Sequence, residues 1–244
     1  MNLARLAKGT VRRAVAKVRR FGRDVSDHDY SKPLAAAVLR ERINLVLDVG
    51  ANIGQTGSAL RRAGYKGKIV SYEPQKEEFK RLCETAASDN QWDCVASAIG
   101  NQRGVVEMQI SGYSPSSSLL KMGSKHIERW PVTVPVGTEE VQVMTLDEAT
   151  HGLAISNSRV MLKIDVQGYE FAVLAGAKEC LQHIHAAYVE LQFAPLYDGQ
   201  SRYYEVMQTL ECAGLRFVGL FSVAADPKTG NALFGDGLFI RTGE

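Results

Sequence analysis

The sequence predicts a doubly wound α/β domain with a mostly parallel sheet, and three features predict it. Residues 45–54, L-V-L-D-V-G-A-N-I-G, pass from an apolar strand through a glycine turn into a segment, 55–63, that reads as helix. Glu73, nineteen residues beyond Gly54, closes a second apolar strand, Ile69-Val70-Ser71-Tyr72. After a break at residues 100–150, strand and helix patterns alternate again from Val160 onward.

The elements follow in order. Residues 75–88 read as a charged amphipathic helix and 92–99 as a third strand. Within the break, 105–111 and 140–145 read as ribbon strands flanking a polar loop, Ser114-Pro115-Ser116-Ser117-Ser118. Residues 160–165 form a fourth strand, 169–182 a helix, 187–193 a fifth strand and 203–213 a helix. Strands near 216–223 and 237–241 have no helix between them and therefore suggest a hairpin. The chain shows no internal repeat and divides into an N-terminal extension, 1–30, and one domain, 31–244, with its insertion at about 100–150.

Composition is compatible with this reading. A chain of 244 residues, 45% apolar and 23% charged, can bury one sizeable core. No apolar run reaches the roughly 18–20 residues of a membrane span. The four cysteines, Cys83, Cys94, Cys180 and Cys212, are scattered, without a C-x-x-C pair, and read as small buried fillers in a reducing, cytoplasmic setting.

The net charge of +2 hides an asymmetry. Residues 1–23 carry eight Lys and Arg and no acid, which leaves 21 basic against 27 acidic side chains in the body. Leu3, Leu6, Ala7, Thr10, Ala14, Val18 and Phe21 recur at helical spacing as a thin apolar stripe. Such a helix suits an anionic membrane surface, peripheral at its inner face, or simple packing across the domain. It lacks the continuous apolar segment of a signal peptide, although its Arg-rich, acid-free character also fits an organelle transit peptide. Nucleic acid is a poor partner for a body that is acidic overall and has no aromatic platform beside its basic run.

The glycine pattern distinguishes between cofactors. A dinucleotide site uses G-x-G-x-x-G, whose second glycine lets pyrophosphate touch the backbone. Here that position is Asn52, the spacing is G-x-x-x-G, and Asp48 stands two residues before Gly50. A carboxylate there would repel phosphate, yet it suits a cationic, phosphate-free cofactor such as S-adenosylmethionine (SAM). Glu73, at the tip of the second strand, is placed to accept from ribose hydroxyls. A NAD-type oxidoreductase is the rival enzyme. A SAM-binding, membrane-associated protein without turnover is the rival outside enzymes.

Several motifs, in order, carry a resemblance: V-L-D-V-G-A-N-I-G (46–54), S-Y-E-P (71–74), S-S-S-L-L (116–120), T-L-D-E (145–148), L-K-I-D-V-Q-G-Y-E (162–170), V-E-L-Q-F-A-P-L-Y-D-G-Q (189–200) and G-D-G-L-F-I-R (235–241). Across about residues 43–241 the chain resembles the FkbM family of SAM-dependent methyltransferases. The usual acid of that family's D-x-E-G motif is replaced by Gln167. The resemblance implies a class I methyltransferase sheet whose last strand inserts antiparallel, with helices on both faces. It also implies O-methylation of sugars or polyketide-like natural products. Carried over, the cofactor residues are Asp48, Gly50, Ala51, Asn52, Gly54 and Glu73. Ser97 and Ala98 fall beside the adenine, and Ser117 and Ser118 close over the cofactor or form a plain loop.

Methylating a hydroxyl requires alignment and a base within hydrogen-bond reach. Asp165 and Glu190 are acids in otherwise apolar strands, an expensive placement unless they are paired or functional. The alternatives are a helix N-cap for Asp165 and an ion pair from Glu190 to Lys163. His126, near Trp130 and Tyr113 in the insertion, is a third candidate base under an aromatic acceptor lid. His151, His183 and His185 are expected at the edge away from the cofactor. Two carboxylates can also chelate a divalent metal, although no metal motif is present and metal is not favoured. The expected acceptor is a small-molecule or lipid-linked sugar: a glycolipid, a polysaccharide or a glycosylated natural product.

Overall fold

The computed structural model describes residues 31–242. The basic segment of residues 1–23 with its apolar stripe, and His28, lie outside the described residues. Helix α1 (Ser31–Arg40) leads into β1 (Leu45–Val49), buried along its whole length, as a central parallel strand covered on both faces must be. Then follow α2 (Gln55–Arg62), β2 (Lys68–Tyr72), α3 (Lys76–Ala86) and β3 (Trp92–Val95). The insertion contributes β4 (Ala98–Gly100), β5 (Gly104–Ser111), α4 (Ser124–Arg129) and β6 (Pro135–Thr145). The chain finishes with α5 (Leu146–Ala149), β7 (Val160–Ile164), α6 (Glu170–Ala175), β8 (Ile184–Gln192), α7 (Tyr203–Cys212), β9 (Leu215–Ala225) and β10 (Ala232–Arg241).

The main sheet has the order β3-β2-β1-β7-β8-β10-β9. Its strands are parallel except β10, which inserts antiparallel between β8 and β9. Leu45, Leu47 and Val49 face one core, closed by Val173 and Leu174 of α6 and Val206 and Leu210 of α7. Val46 faces the other core, with Leu34 and Val38 of α1, Leu60 of α2 and Leu82 of α3. This period-two partition of one strand is what places helices on both faces. The insertion forms its own three-stranded sheet, β4-β6-β5, with β5 and β6 antiparallel.

Two expectations about elements need correction. The stretch 92–99 is two strands rather than one: β3 ends at Val95, and β4 leaves for the small sheet. Ser97 fixes the switch, its hydroxyl hydrogen-bonding the carbonyls of Ala98 (2.9 Å) and Gln142 (3.2 Å). The helix expected over 169–182 ends at Ala175. At Gly176 the backbone lies so close to Gly100 that a β-carbon would overlap the Gly100 carbonyl oxygen. The chain resumes as a 3₁₀ turn whose amides, Glu179 N and Cys180 N, donate to the Asp147 carboxylate at 3.1 and 2.8 Å. Nor are all the cysteines buried fillers, since Cys212 is exposed and Cys83 and Cys94 are only partly covered. No helix among the described residues is long and apolar enough to cross a membrane.

Candidate active site

The carboxyl ends of β1, β2 and β7, the insertion loop and the β9–β10 hairpin enclose a cavity of about 390 Å³. One wall is the glycine turn. Gly50, Asn52 and Gly54 all take positive φ (79°, 49° and 88°), and a β-carbon on Gly50 would overlap the Asp165 carbonyl oxygen, so only glycine fits there. The amides of Gly50 and Ala51 both donate to Tyr72 O (3.1 Å), and Asn52 N donates to Glu73 Oε2 (2.8 Å). Backbone groups that a dinucleotide fold offers to pyrophosphate are therefore engaged within the protein. This geometry fits a phosphate-free ligand, and Glu73 fits a ribose.

Gly50, Ala51, Asn52, Glu73, Ser97 and Ala98 all line the cavity. Glu73 is buried and clamped by three donors, Asn52 N, Gln75 N and Gln75 Nε2. Burial nonetheless raises its carboxyl to about 7, because desolvation outweighs those hydrogen bonds. Gly54 stands behind the wall as the N-cap of α2, facing Leu82 and Trp92. Asp48 is fully buried and also stands behind the wall, accepting from Ser71 Oγ (3.3 Å) and pairing with Lys163 Nζ (3.2 Å). Lys163 in turn donates to Gly50 O at 2.9 Å. Asp48 thus orders the glycine turn through Lys163.

The insertion loop forms the opposite wall. Ser117 and Ser118 line the cavity, but their hydroxyls serve the loop. Ser117 Oγ accepts from Ser111 N (3.0 Å), while Ser118 Oγ donates to Gln167 O (2.8 Å). Asn52 Nδ2 reaches Ser114 Oγ at 3.3 Å and ties this loop to the glycine turn.

Asp165 and Glu190, from different strands, come together through Gln167. Its Nε2 donates to Asp165 Oδ1 at 2.7 Å and to Glu190 Oε2 at 3.0 Å. Gln192 Nε2 adds a second donor to Glu190, at 2.5 Å. Gln167 Oε1 faces the Tyr197 hydroxyl at 2.8 Å, so one side chain links both acids to the lid side of the cavity. Its backbone is left-handed (φ 58°), a strained conformation for a non-glycine residue, held by Glu170, whose Oε1 accepts from Gly168 N (3.0 Å) and Val166 N (3.3 Å). The expected ion pair between Glu190 and Lys163 is not formed: across the β1–β7 register Lys163 lies opposite Asp48, and its second carboxylate neighbour is Asp165 at 3.8 Å. Nor does Asp165 cap a helix, since α6 begins five residues later with Tyr169 at its N-cap. No cluster of three or more potential metal ligands occurs among the described residues, and Asp165 Oδ1 and Glu190 Oε2 both accept from Gln167 Nε2.

His126 is also on the cavity wall, but not as an exposed lid residue. Its ring is buried edge-on between Trp130 (4.9 Å) and Tyr197 (5.1 Å), and neither ring nitrogen has a hydrogen-bond partner among the described residues. Burial lowers its pKa to about 4, which leaves a neutral imidazole too weakly basic for efficient proton abstraction near neutral pH.

Sequence reasoning missed Asp236, a carboxylate on the same wall. The antiparallel insertion of β10 sets Asp236 opposite Glu190, with the Tyr188 hydroxyl 3.3 Å from its Oδ2. Burial and the neighbouring Asp165 raise it to about 7. Burial, with Asp165, Glu170 and Asp236 nearby, pushes Glu190 well above the usual carboxylate range. The signal was available: Asp236 is an acid in the apolar strand F-G-D-G-L-F-I, the criterion that selected Glu190.

The sheet order, the glycine turn and the carboxylate wall together define the class of SAM-dependent methyltransferases with the class I fold. The chain belongs to the FkbM methyltransferase family, matching the Methyltransferase FkbM domain over residues 48–217. It is 24% identical over 162 residues to the 2-O-methyltransferase NoeI of Sinorhizobium fredii, an alignment that spans 64% of this chain and 66%, just under two thirds, of that relative. The magnesium protoporphyrin IX methyltransferase ChlM from Synechocystis PCC 6803, solved with bound SAH, shares the fold with a TM-score of 0.50 at 10% identity, over 93% of this chain and 94% of that one.

Proposed function

We propose that the protein is an O-methyltransferase that methylates a hydroxyl of a sugar, on a glycolipid, a polysaccharide or a glycosylated natural product. The observation that carries this is the meeting of Asp165, Glu190 and Asp236 on the wall of the cavity that the glycine turn and Glu73 open onto. A 2-O-methyltransferase among the relatives supports an oxygen acceptor.

Bound SAM would supply an electrophilic methyl group already activated by its positive sulfur. Everything else falls to this chain's residues. The Gly50–Asn52 turn and Glu73 would hold the amino-acid and ribose parts, beside Ser97 and Ala98 for the adenine. The insertion loop, tied to the turn through Ser114 and to Gln167 through Ser118, would exclude water. As the acceptor oxygen gains the methyl group, its proton passes to a carboxylate of the wall. A carboxyl tuned near 7 is suited to that transfer, since a base works best with a pKa close to the working pH. Trp130, Phe234 and the ring of His126 offer faces and a hydrogen-bonding edge to a sugar.

The test is to incubate the full chain with isotopically labelled SAM and a panel of methyl pyranosides, reading products by mass spectrometry. Gain of one methyl on oxygen supports the reading. SAM binding without turnover on any sugar or natural-product glycoside would return the protein to the class of cofactor binders. Binding of NAD in its place would overturn the assignment.

A further inference from the structure

Resting on the reading of this cavity as a SAM site, we propose that Asp165, Glu190 and Asp236 sense the charge of the cofactor. They favour the cationic donor over its neutral product, S-adenosylhomocysteine (SAH), and so speed product release.

Three elements bring the acids together. Asp165 follows β7, Glu190 lies on β8 and Asp236 on β10. Their partners are mostly neutral: Gln167 for Asp165 and Glu190, Gln192 for Glu190, Tyr188 and Ser222 for Asp236. Lys163 lies at 3.2 Å from Asp48 and 3.8 Å from Asp165, and its charge also pulls the Asp236 carboxyl down, against the larger effects of burial and Asp165. One ammonium thus serves Asp48, Asp165 and Asp236 together, so each further carboxyl of the wall that ionises adds charge that its neutral partners do not offset. The wall also begins where the cofactor turn ends, since Gly50 packs directly on the Asp165 carbonyl. An independent observation points to a polar occupant of the same cavity: His126 is buried there with both ring nitrogens unpartnered among the described residues.

Donor and product differ by one methyl group and one positive charge. In a poorly hydrated wall a cation offsets the repulsion among carboxylates, and a neutral ligand leaves it in place. The charges also close during transfer. The bond from sulfur to methyl breaks as the bond from acceptor oxygen to methyl forms, and the oxygen's proton ends on a carboxylate. The positive charge on sulfur and one negative charge of the wall thus vanish in the same event, and the attraction between them is lost to the product.

The groups that set the protonation of this wall are Asp165, Glu190, Asp236 and Glu170, with Lys163 and Asp48 near them, Tyr113, Tyr188 and His126 on the cavity lining and the buried Tyr197 on Gln167. A cation bound beside carboxyls that titrate near neutrality draws them toward ionisation. Binding of SAM should therefore release protons, whereas binding of SAH should not.

Isothermal calorimetry on the full chain with SAM, SAH and the cationic analogue sinefungin tests this, in buffers of different ionisation enthalpy. We expect Asp236→Asn and Glu190→Gln each to lower the ratio of SAM to SAH affinity by about tenfold, with SAH affinity unchanged. Sinefungin should follow SAM. Wild-type protein should release protons to SAM and sinefungin alone, and its preference for SAM should grow between about pH 6 and pH 8 more than that of Asp236→Asn. The inference falls if both ligands weaken alike, which would mean the acids serve the amino-acid part common to both. It also falls if the ratio is unchanged in two variants whose circular dichroism shows intact folds. If wild-type protein binds neither SAM nor SAH, the underlying cofactor reading fails as well.

Discussion

Lys163 faces Asp48 across the β1–β7 register, its ammonium 3.2 Å from a carboxylate with no exposure to solvent. The same ammonium holds the Gly50 carbonyl, so an ion pair below the site fixes the turn above it. Replacing Lys163 with Met removes one partner and leaves Asp48 buried and uncompensated. We expect a loss of about 3–5 kcal/mol in urea unfolding, and substantial recovery when Asp48→Asn is added. A loss confined to SAM affinity, with stability unchanged, would contradict this role.

Glu73→Ala should weaken SAM and SAH alike by about 1–3 kcal/mol, because ribose hydroxyls lose a carboxylate acceptor and the Asn52 and Gln75 amides lose theirs. Calorimetry with both ligands is the measurement. An effect on SAM alone would move Glu73 away from the ribose.

Gln167 joins two acids through one amide, so Gln167→Glu would replace a shared donor by a further carboxylate. The variant should be less stable than wild type by about 2–4 kcal/mol at pH 8, a gap that narrows in acid as the carboxyls protonate. Thermal melts across pH read the outcome; a gap that does not vary with pH would show that Gln167 acts only by filling space.

Asp236 has a folded-state carboxyl raised to about 7. Between the ordinary carboxylate range and that value the folded protein retains a proton that the unfolded chain releases. Its stabilising contribution is therefore complete in acid and lost as pH rises toward 7. Asp236→Asn removes this penalty and should be more stable than wild type by about 1–3 kcal/mol at pH 8, with the gain shrinking toward pH 4. Chemical denaturation at several pH values checks the sign.

Residues 1–23, with eight positive charges and a thin apolar stripe, are proposed to dock on an anionic membrane surface that presents a lipid-linked acceptor. Deleting them should leave SAM affinity unchanged and abolish co-sedimentation with anionic vesicles at low salt. Equal sedimentation of both forms would remove the proposal.

The order of strands and helices, the glycine turn and Glu73 were legible in the sequence because each is encoded locally. Apolar runs mark buried parallel strands, and positions 50 and 54 take the positive backbone angles that glycine supplies. Even the hairpin at the end of the sheet could be read, from two strands without a helix between them. The partnerships could not. Lys163 was as plausible a partner for Glu190 as for Asp48 until the β1–β7 register set it opposite Asp48. The helix after Tyr169 stops early because Gly176 meets Gly100, seventy-six residues away in the chain. Asp236 entered the site because β10 runs antiparallel, which brings its first half to the carboxyl edge of β8. His126 carried the signature of a base, and its burial between Trp130 and Tyr197 left a neutral ring instead. Periodicity and turn chemistry act over a few residues and specify the elements. Register and desolvation arise only when distant elements pack, and they decided which acids meet and which of them hold protons.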